Sequence, residues 1–306
     1  MPAWNVGFFL VLCIALWLGT GLIVSSIDTF ARKLKLSPFA LSFFVLGMLT
    51  SIPEIAVGVT AVTEGTPEIF VGNLLGGIPI IFLLIIPFLA IFGNGVKLNH
   101  ELTPMNIFLT FAVVAAPSIF VLDKKVNNLE GLVMIILYTG LFFLLERKKG
   151  GVLKLAKRPS GMTGMKVLFG AILVFGSAHF LLEQTLYFAD VFGILPFYVS
   201  LIALSLGTNI PELSLAIRSV FQGKKDIALG DYMGSAAANT FLFGIFTLLT
   251  PAESFAVNHS FLTFGFIVGG LILFYHFYSS KRDISRTEGF FLLGMYILFS
   301  FLELRG

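Results

Sequence analysis

Two five-residue segments of this 306-residue chain carry side chains able to do chemistry: Thr50-Ser51-Ile52-Pro53-Glu54 and Thr208-Asn209-Ile210-Pro211-Glu212. Proline has no backbone N–H, so inside a helix Pro53 and Pro211 bring no donor to the carbonyls of Leu49 and Gly207. Threonine and glutamate four residues apart share one helix face. If the two segments met, two carboxylates, several hydroxyls, an amide and two spare carbonyls would converge. Such an all-oxygen set, with no Cys or His, suits Ca²⁺ before Mg²⁺ or Mn²⁺ and disfavours zinc and copper. Two carboxylates in a low dielectric repel each other and take up protons unless a divalent cation neutralises them.

A second pair of segments follows: Gly72-Asn73-x-x-Gly76-Gly77 and Gly230-Asp231-x-x-Gly234-Ser235. Small residues four apart let another helix approach closely. Ser235, and Asn239 one turn on, are polar enough to complete a cation shell. Other candidates are weaker. His179 and Glu183 stand at i and i+4 and read as an interfacial structural pair, and Glu64 and Glu68 as solvated charges near helix ends. The single Cys13 can form neither an intramolecular disulfide nor a thiolate cluster. Gly230-Asp231-Tyr232 offers one aspartate without the second that an intramembrane aspartyl protease needs, and there is no His-Glu-x-x-His, so an enzyme is not expected.

The elements that must position these residues lie in lipid. The chain is 57% apolar and 12% charged, with 35 Phe and several apolar runs near 20 residues, and its mean hydropathy is +0.96. No aqueous core buries that much apolar surface. A net charge of +3, dispersed along the chain, gives no nucleic-acid footprint. Apolar runs between charged or Gly/Pro/Asn-rich breaks predict ten transmembrane helices, near 7–27, 38–63, 68–92, 104–122, 128–146, 166–187, 194–221, 226–249, 258–278 and 288–304. The runs are continuous and about twice the length of a barrel strand, which favours helices over a β-barrel. No Lys or Arg precedes the first run, so it reads as a retained helix and not a cleaved signal. With both termini outside, 16 of the 20 Lys and Arg fall in cytoplasmic loops. The basic stretch 147–165 separates a first five-helix half, 1–146, from a second, 166–306.

The halves are related. From Pro38 to Ile81 the sequence aligns without a gap to Pro196–Asn239 at a constant offset of 158, with 13 identities in 44 positions, among them Thr50/Thr208, Pro53/Pro211, Glu54/Glu212, Gly72/Gly230 and Gly76/Gly234. Shared lipid-facing composition matches Leu, Ile and Phe; it does not align Pro-Glu and glycines. Five helices is an odd number, so the second half enters from the opposite side. The fold class expected is therefore an all-α membrane protein of ten helices in two inverted repeats, with its substrate site where the repeats meet.

These paired motifs resemble the two α-repeats of the calcium/cation antiporter superfamily, above all its sodium/calcium exchangers. The resemblance implies alternating-access exchange of Ca²⁺ for Na⁺ in a plasma (inner) membrane, with Ca²⁺ between Glu54 and Glu212. It also implies sodium ligands from Thr50 and Ser51 on one side and Thr208, Asn209 and Ser235 on the other, and Asn239 near the centre. The first and sixth helices, through Gly19 and Gly176, would gate the site. Gly77 and Ile81 stand where the family carries Ser and Asn or Asp, so fewer coupling ions than usual, or H⁺ coupling, are expected. A passive cation channel is the rival class. Partners implied are the transported ions and membrane lipid, with neither a cofactor nor an obligate protein partner.

Overall fold

The computed structural model describes residues 2–31, 41–97, 103–145, 161–222, 228–251, 254–256, 261–281 and 283–305. The helices are α1 (Pro2–Ala31), α2 (Phe43–Thr50), α3 (Ile52–Thr63), α4 (Pro67–Phe92), α5 (Pro104–Phe120), α6 (Asn128–Leu145), α7 (Gly161–Phe192), α8 (Pro196–Thr208), α9 (Ile210–Gln222), α10 (Ala228–Leu249), α11 (Phe261–Lys281) and α12 (Arg286–Glu303). Among the described residues six helices are long and apolar enough to cross a bilayer, or eight if each of the bent pairs α2–α3 and α8–α9 is one span. The 17-residue α5 is shorter, and α12 carries Arg286, Glu288 and Glu303. Helix α7 starts at Gly161, inside the stretch read as linker. The rest of that stretch to 160, and Arg32, Lys33, Lys35, Lys224, Lys225 and Arg282, lie outside the described residues.

The two helices expected near 38–63 and 194–221 are each broken at the proline segment. The chain bends by 54° between α2 and α3 and by 44° between α8 and α9. The single residues at the breaks, Ser51 (φ −80°, ψ 11°) and Asn209 (φ −88°, ψ 12°), leave the helical region together. Pro53 and Pro211 cannot bond back across the break, and helical bonding resumes with Ile55 N–H to the Ser51 carbonyl at 3.0 Å and Leu213 N–H to the Asn209 carbonyl at 3.1 Å. Ahead of each break one turn is wound as π-helix, Leu41–Leu46 and Ser200–Leu204. A further π segment, Ile80–Ile85, follows Pro79 within α4 and has no counterpart in α10.

Positions 158 apart remain equivalent well past the aligned motifs. The ribbon β1 (Val96–Lys97) pairs antiparallel with β4 (Asp283–Ile284), and β2 (Lys125–Asn127) with β3 (Ser254–Ala256). The offset carries β1 onto β3 and β2 onto β4, so each ribbon is the counterpart of the other and joins the two halves. In the same way Gly131 of α6 lies against Gly244 and Thr247 of α10, while Gly289 of α12 lies against Pro87 and Ala90 of α4.

The core is formed by α4 and α10, whose most apolar windows are 89% and 78% buried; α1, α6, α7 and α11 are at 22–39%. The outer helices turn Leu10, Ile14, Leu18, Phe143, Phe169 and Ile172, among others, outward, an apolar surface too extensive for water. Gly72 and Gly76 press α4 onto α8, where an added Cβ would meet the carbonyls of Phe197 and Leu201, and Gly234 presses α10 onto α2 at the Phe43 carbonyl. Outside them α1 and α7 run along one another, with Gly19 against Gly170. Gly176, the residue expected to match Gly19, has open space where a side chain would go, because contact falls two turns earlier on α7.

Candidate functional site

The two breaks face the middle of α4 and α10, and the polar residues of all four segments meet there out of solvent. Ser51, Glu54, Asn73, Thr208, Asn209, Glu212, Ser235 and Asn239 are each at most 2% exposed. Thr50 is half-buried, and its hydroxyl donates back to the Gly47 carbonyl at 3.1 Å. Glu54 and Glu212 sit in the first turns of α3 and α9, just past the breaks. Neither has a Lys, Arg or His partner among the described residues.

Each carboxylate has one oxygen held by a cross-strutted donor. Ser235 Oγ donates to Glu212 Oε1 at 2.8 Å, and Asn209 Nδ2 to Glu54 Oε1 at 3.3 Å. Ser51 Oγ donates to the Gly47 carbonyl at 2.8 Å and lies 3.4 Å from Ser235 Oγ. Thr208 Oγ1 donates to Asn73 Oδ1 at 3.1 Å, and Asn239 Nδ2 to the Leu74 carbonyl at 3.2 Å. Tyr232 packs against Glu212, its hydroxyl donating to that residue's backbone carbonyl at 3.4 Å.

Four acceptors stay without a donor although fully buried: Glu54 Oε2, Glu212 Oε2, Asn209 Oδ1 and Asn239 Oδ1. A buried acceptor normally finds a partner, and leaving one bare costs about 1–3 kcal/mol, more for a charged group. Four such oxygens in one site, two of them carboxylate, are matched by a cation. The chemistry available is reversible cation ligation: no nucleophile–base pair is present at the site.

Of the residues singled out in the sequence, Ser51, Glu54, Thr208, Asn209, Glu212, Ser235 and Asn239 come together here, with Thr50 at the margin. Sequence reasoning missed Asn73 as a site residue. Its repeat partner Asp231, polar within an otherwise glycine-rich packing face, was the available signal. His179 lies apart, its Nδ1 2.6 Å from Glu64 Oε1 and its Nε2 3.7 Å from Glu183 Oε1. It therefore ties α7 to the turn after α3, where Gly65 takes φ +72° to reverse the chain into α4; the expected solvated Glu64 is a paired one.

Comparison with known proteins follows from this geometry. The chain is 25% identical over 317 residues to the putative antiporter CaxA of Alkalimonas amylolytica, covering 96% of this chain and 98% of that one. It is 26% identical over 328 residues to the sodium/calcium exchanger MaX1 of Methanosarcina acetivorans, covering 92% and 93%. Its fold resembles that of the sodium-calcium exchanger NCX_Mj, with a TM-score of 0.67 at 22% identity over 97% of this chain and 98% of the other. It also resembles the H⁺/Ca²⁺ exchanger CAX, with a TM-score of 0.76 at 16% identity over 98% and 86%. The family model described as sodium/calcium exchanger protein matches residues 4–145 and 165–305, nearly the whole chain. The chain is thus an integral multi-pass membrane protein, a transporter and not an enzyme, and belongs to the sodium/calcium exchanger protein family.

Proposed function

We propose that this protein is a secondary antiporter that exchanges Ca²⁺ for Na⁺ by alternating access, through ten membrane-crossing helices in two inverted repeats, 1–146 and 166–306, with both termini outside an inner or plasma membrane. The observation that carries it is the set of four buried, donor-less oxygens around two carboxylates at repeat-equivalent helix breaks. Ca²⁺ would take Glu54 Oε2 and Glu212 Oε2 with the Asn209 and Asn239 carbonyl oxygens; Thr50, Ser51, Thr208 and Ser235 would supply hydroxyls for the coupling ion. The equivalence of the ribbons and breaks at an offset of 158, and the two stretches of the family match, support the repeat reading.

The mechanism rests on charge. A bound cation neutralises Glu54 and Glu212 and lets the site close away from water. Empty and doubly charged, it is too costly to desolvate, and the transporter does not turn over. Exchange is then obligatory, with α1 and α7 sliding together over the bent helices as the gate. Proton coupling is the second reading. It is favoured by Gly77 and Ile81, which give the first half no oxygen where the second has Ser235 and Asn239, and by the fold likeness to CAX. The test is ⁴⁵Ca²⁺ uptake into proteoliposomes under an outward Na⁺ gradient, an outward H⁺ gradient and none. Uptake driven by Na⁺ supports the proposal, uptake driven by H⁺ alone changes the coupling ion, and flux indifferent to both gradients replaces the antiporter by a channel.

A further inference from the structure

The two carboxylates are served by different atoms, and the difference centres on residue 77. The repeat pairs Ser51 with Asn209, Gly77 with Ser235 and Ile81 with Asn239. Beside Glu212 the hydroxyls of Ser51 and Ser235 lie 3.4 Å apart. A hydroxyl rotates, so both can turn lone pairs to a cation. The counterpart place beside Glu54 has no side chain at position 77: a Cβ on Gly77 would lie 2.7 Å from Asn239 Nδ2 and 3.3 Å from Asn209 Nδ2.

Both amides are fixed with nitrogen on that face. Asn209 Nδ2 spends its two hydrogens on Glu54 Oε1 at 3.3 Å and the Ser205 carbonyl at 2.9 Å. Asn239 Nδ2 donates to the Leu74 carbonyl at 3.2 Å. Flipping either would set oxygen against oxygen. An amide N–H has no lone pair for a cation and presents partial positive charge to it. Against Glu54, the Asn209 N–H therefore holds the position that the Ser235 hydroxyl holds against Glu212.

We infer that the Gly77 face is a capped subsite: the Asn209 and Asn239 amides fill the place where the mirrored face takes a monovalent cation between Ser51 and Ser235, so one coupling ion fewer binds beside Glu54 than beside Glu212. Asn209 and Gly77 are then residues that set the ion ratio. This rests on the exchange reading above. A side chain at 77 meets the Asn239 amide at 2.7 Å and the Asn209 amide at 3.3 Å, so the change at 77 is paired with Asn209→Ser, which frees space into which the Asn239 amide can turn.

The experiment compares wild type, Gly77→Ser/Asn209→Ser and Asn209→Ser in proteoliposomes held at zero membrane potential. The readout is the Ca²⁺ gradient at which net flux stops under a tenfold Na⁺ gradient. One added Na⁺ per Ca²⁺ raises that limiting gradient by about tenfold, the ratio of one more equilibrium factor. The double variant is expected to show this rise, and Asn209→Ser, which adds no volume, a shift in the same direction. If H⁺ alone drives the wild type, uptake newly driven by Na⁺ in either variant carries the same meaning. Should the double variant fail to elute as a folded species, Asn209→Ser decides. Unchanged ion ratios with exchange intact overturn the cap. If wild type shows no Ca²⁺ uptake under either gradient, the exchange reading fails separately. The cap is then judged by Na⁺-induced Tm shifts, and a shift no larger in Asn209→Ser than in wild type overturns it.

Discussion

The inner pair, α4 and α10, and the outer pair, α1 and α7, are each related by the repeat, yet they are built on opposite terms. The inner helices are buried nearly all round and seated by glycines whose missing side chains leave no clearance from the carbonyls of the bent helices. The outer helices have 39% and 33% of their most apolar windows buried, lean chiefly on each other, and are also tied to the rest at an exposed His179–Glu64 contact. Backbone-to-backbone seating does not slide without breaking many contacts at once, whereas an apolar face over lipid and neighbouring helices does. The difference supports the proposed division, with ion holding at the inner pair and its bent partners and movement in the outer pair.

Seven variants would break or sharpen that division. The largest effect is expected from Glu54→Gln and Glu212→Gln. Each removes half the charge a divalent ion neutralises, and each should lower gradient-driven Ca²⁺ uptake to the level of protein-free liposomes while the protein still elutes as one species. Uptake at wild-type rates in either would separate transport from the inner site altogether. Next, Gly76→Ala and Gly234→Ala drive a Cβ into the Leu201 and Phe43 carbonyls. They should cost about 1–3 kcal/mol, read as a fall in Tm. Gly176→Ala, which meets open space, should stay within about 0.5 kcal/mol.

Gly19→Ala tests the outer pair. Its Cβ would lie 2.9 Å from the Gly170 carbonyl, so turnover should fall severalfold while the Ca²⁺-induced rise in Tm is retained; loss of that rise would mean the outer pair also shapes the ion site. The smallest effect on transport among the contact variants is expected from His179→Ala. A half-exposed pair is worth about 0.2–1 kcal/mol, so the variant should change the exchange rate by less than about fivefold, with the difference shrinking at high salt. A larger change that salt does not reduce would make the contact more than a surface tie.

Much of this was legible in the chain itself, and for physical reasons. Proline inside an apolar run, repeated with glutamate one residue on, marks a break that also needs a buried charge, and Ser51, Glu54, Asn209 and Glu212 do meet at two such breaks. Hydropathy separated the helices because lipid demands long apolar runs. The sharpness of the breaks was less legible: proline announces a lost hydrogen bond, but whether the helix kinks or stops depends on what fills the gap, here the polar side chains themselves. The π turns at Leu41–Leu46 and Ser200–Leu204 leave no mark in composition. Gly176 misled because glycine in a membrane helix signals a possible approach without saying which turn is approached. The empty position at Gly77 read as a lost ligand; only coordinates reveal two amide nitrogens lying over it.

The seating of α4 bears on how the protein is made. Its glycine face and the buried Asn73 rest on α8 and Thr208, elements of the second half synthesised more than a hundred residues later. Until the second half is inserted this face has its polar groove but not the helix that covers it, so it must wait in the bilayer for its mate. On the proposed reading maturation includes a docking of two half-chains inside the membrane, and the bare oxygens of Glu54, Asn209, Glu212 and Asn239 meet only at that late step.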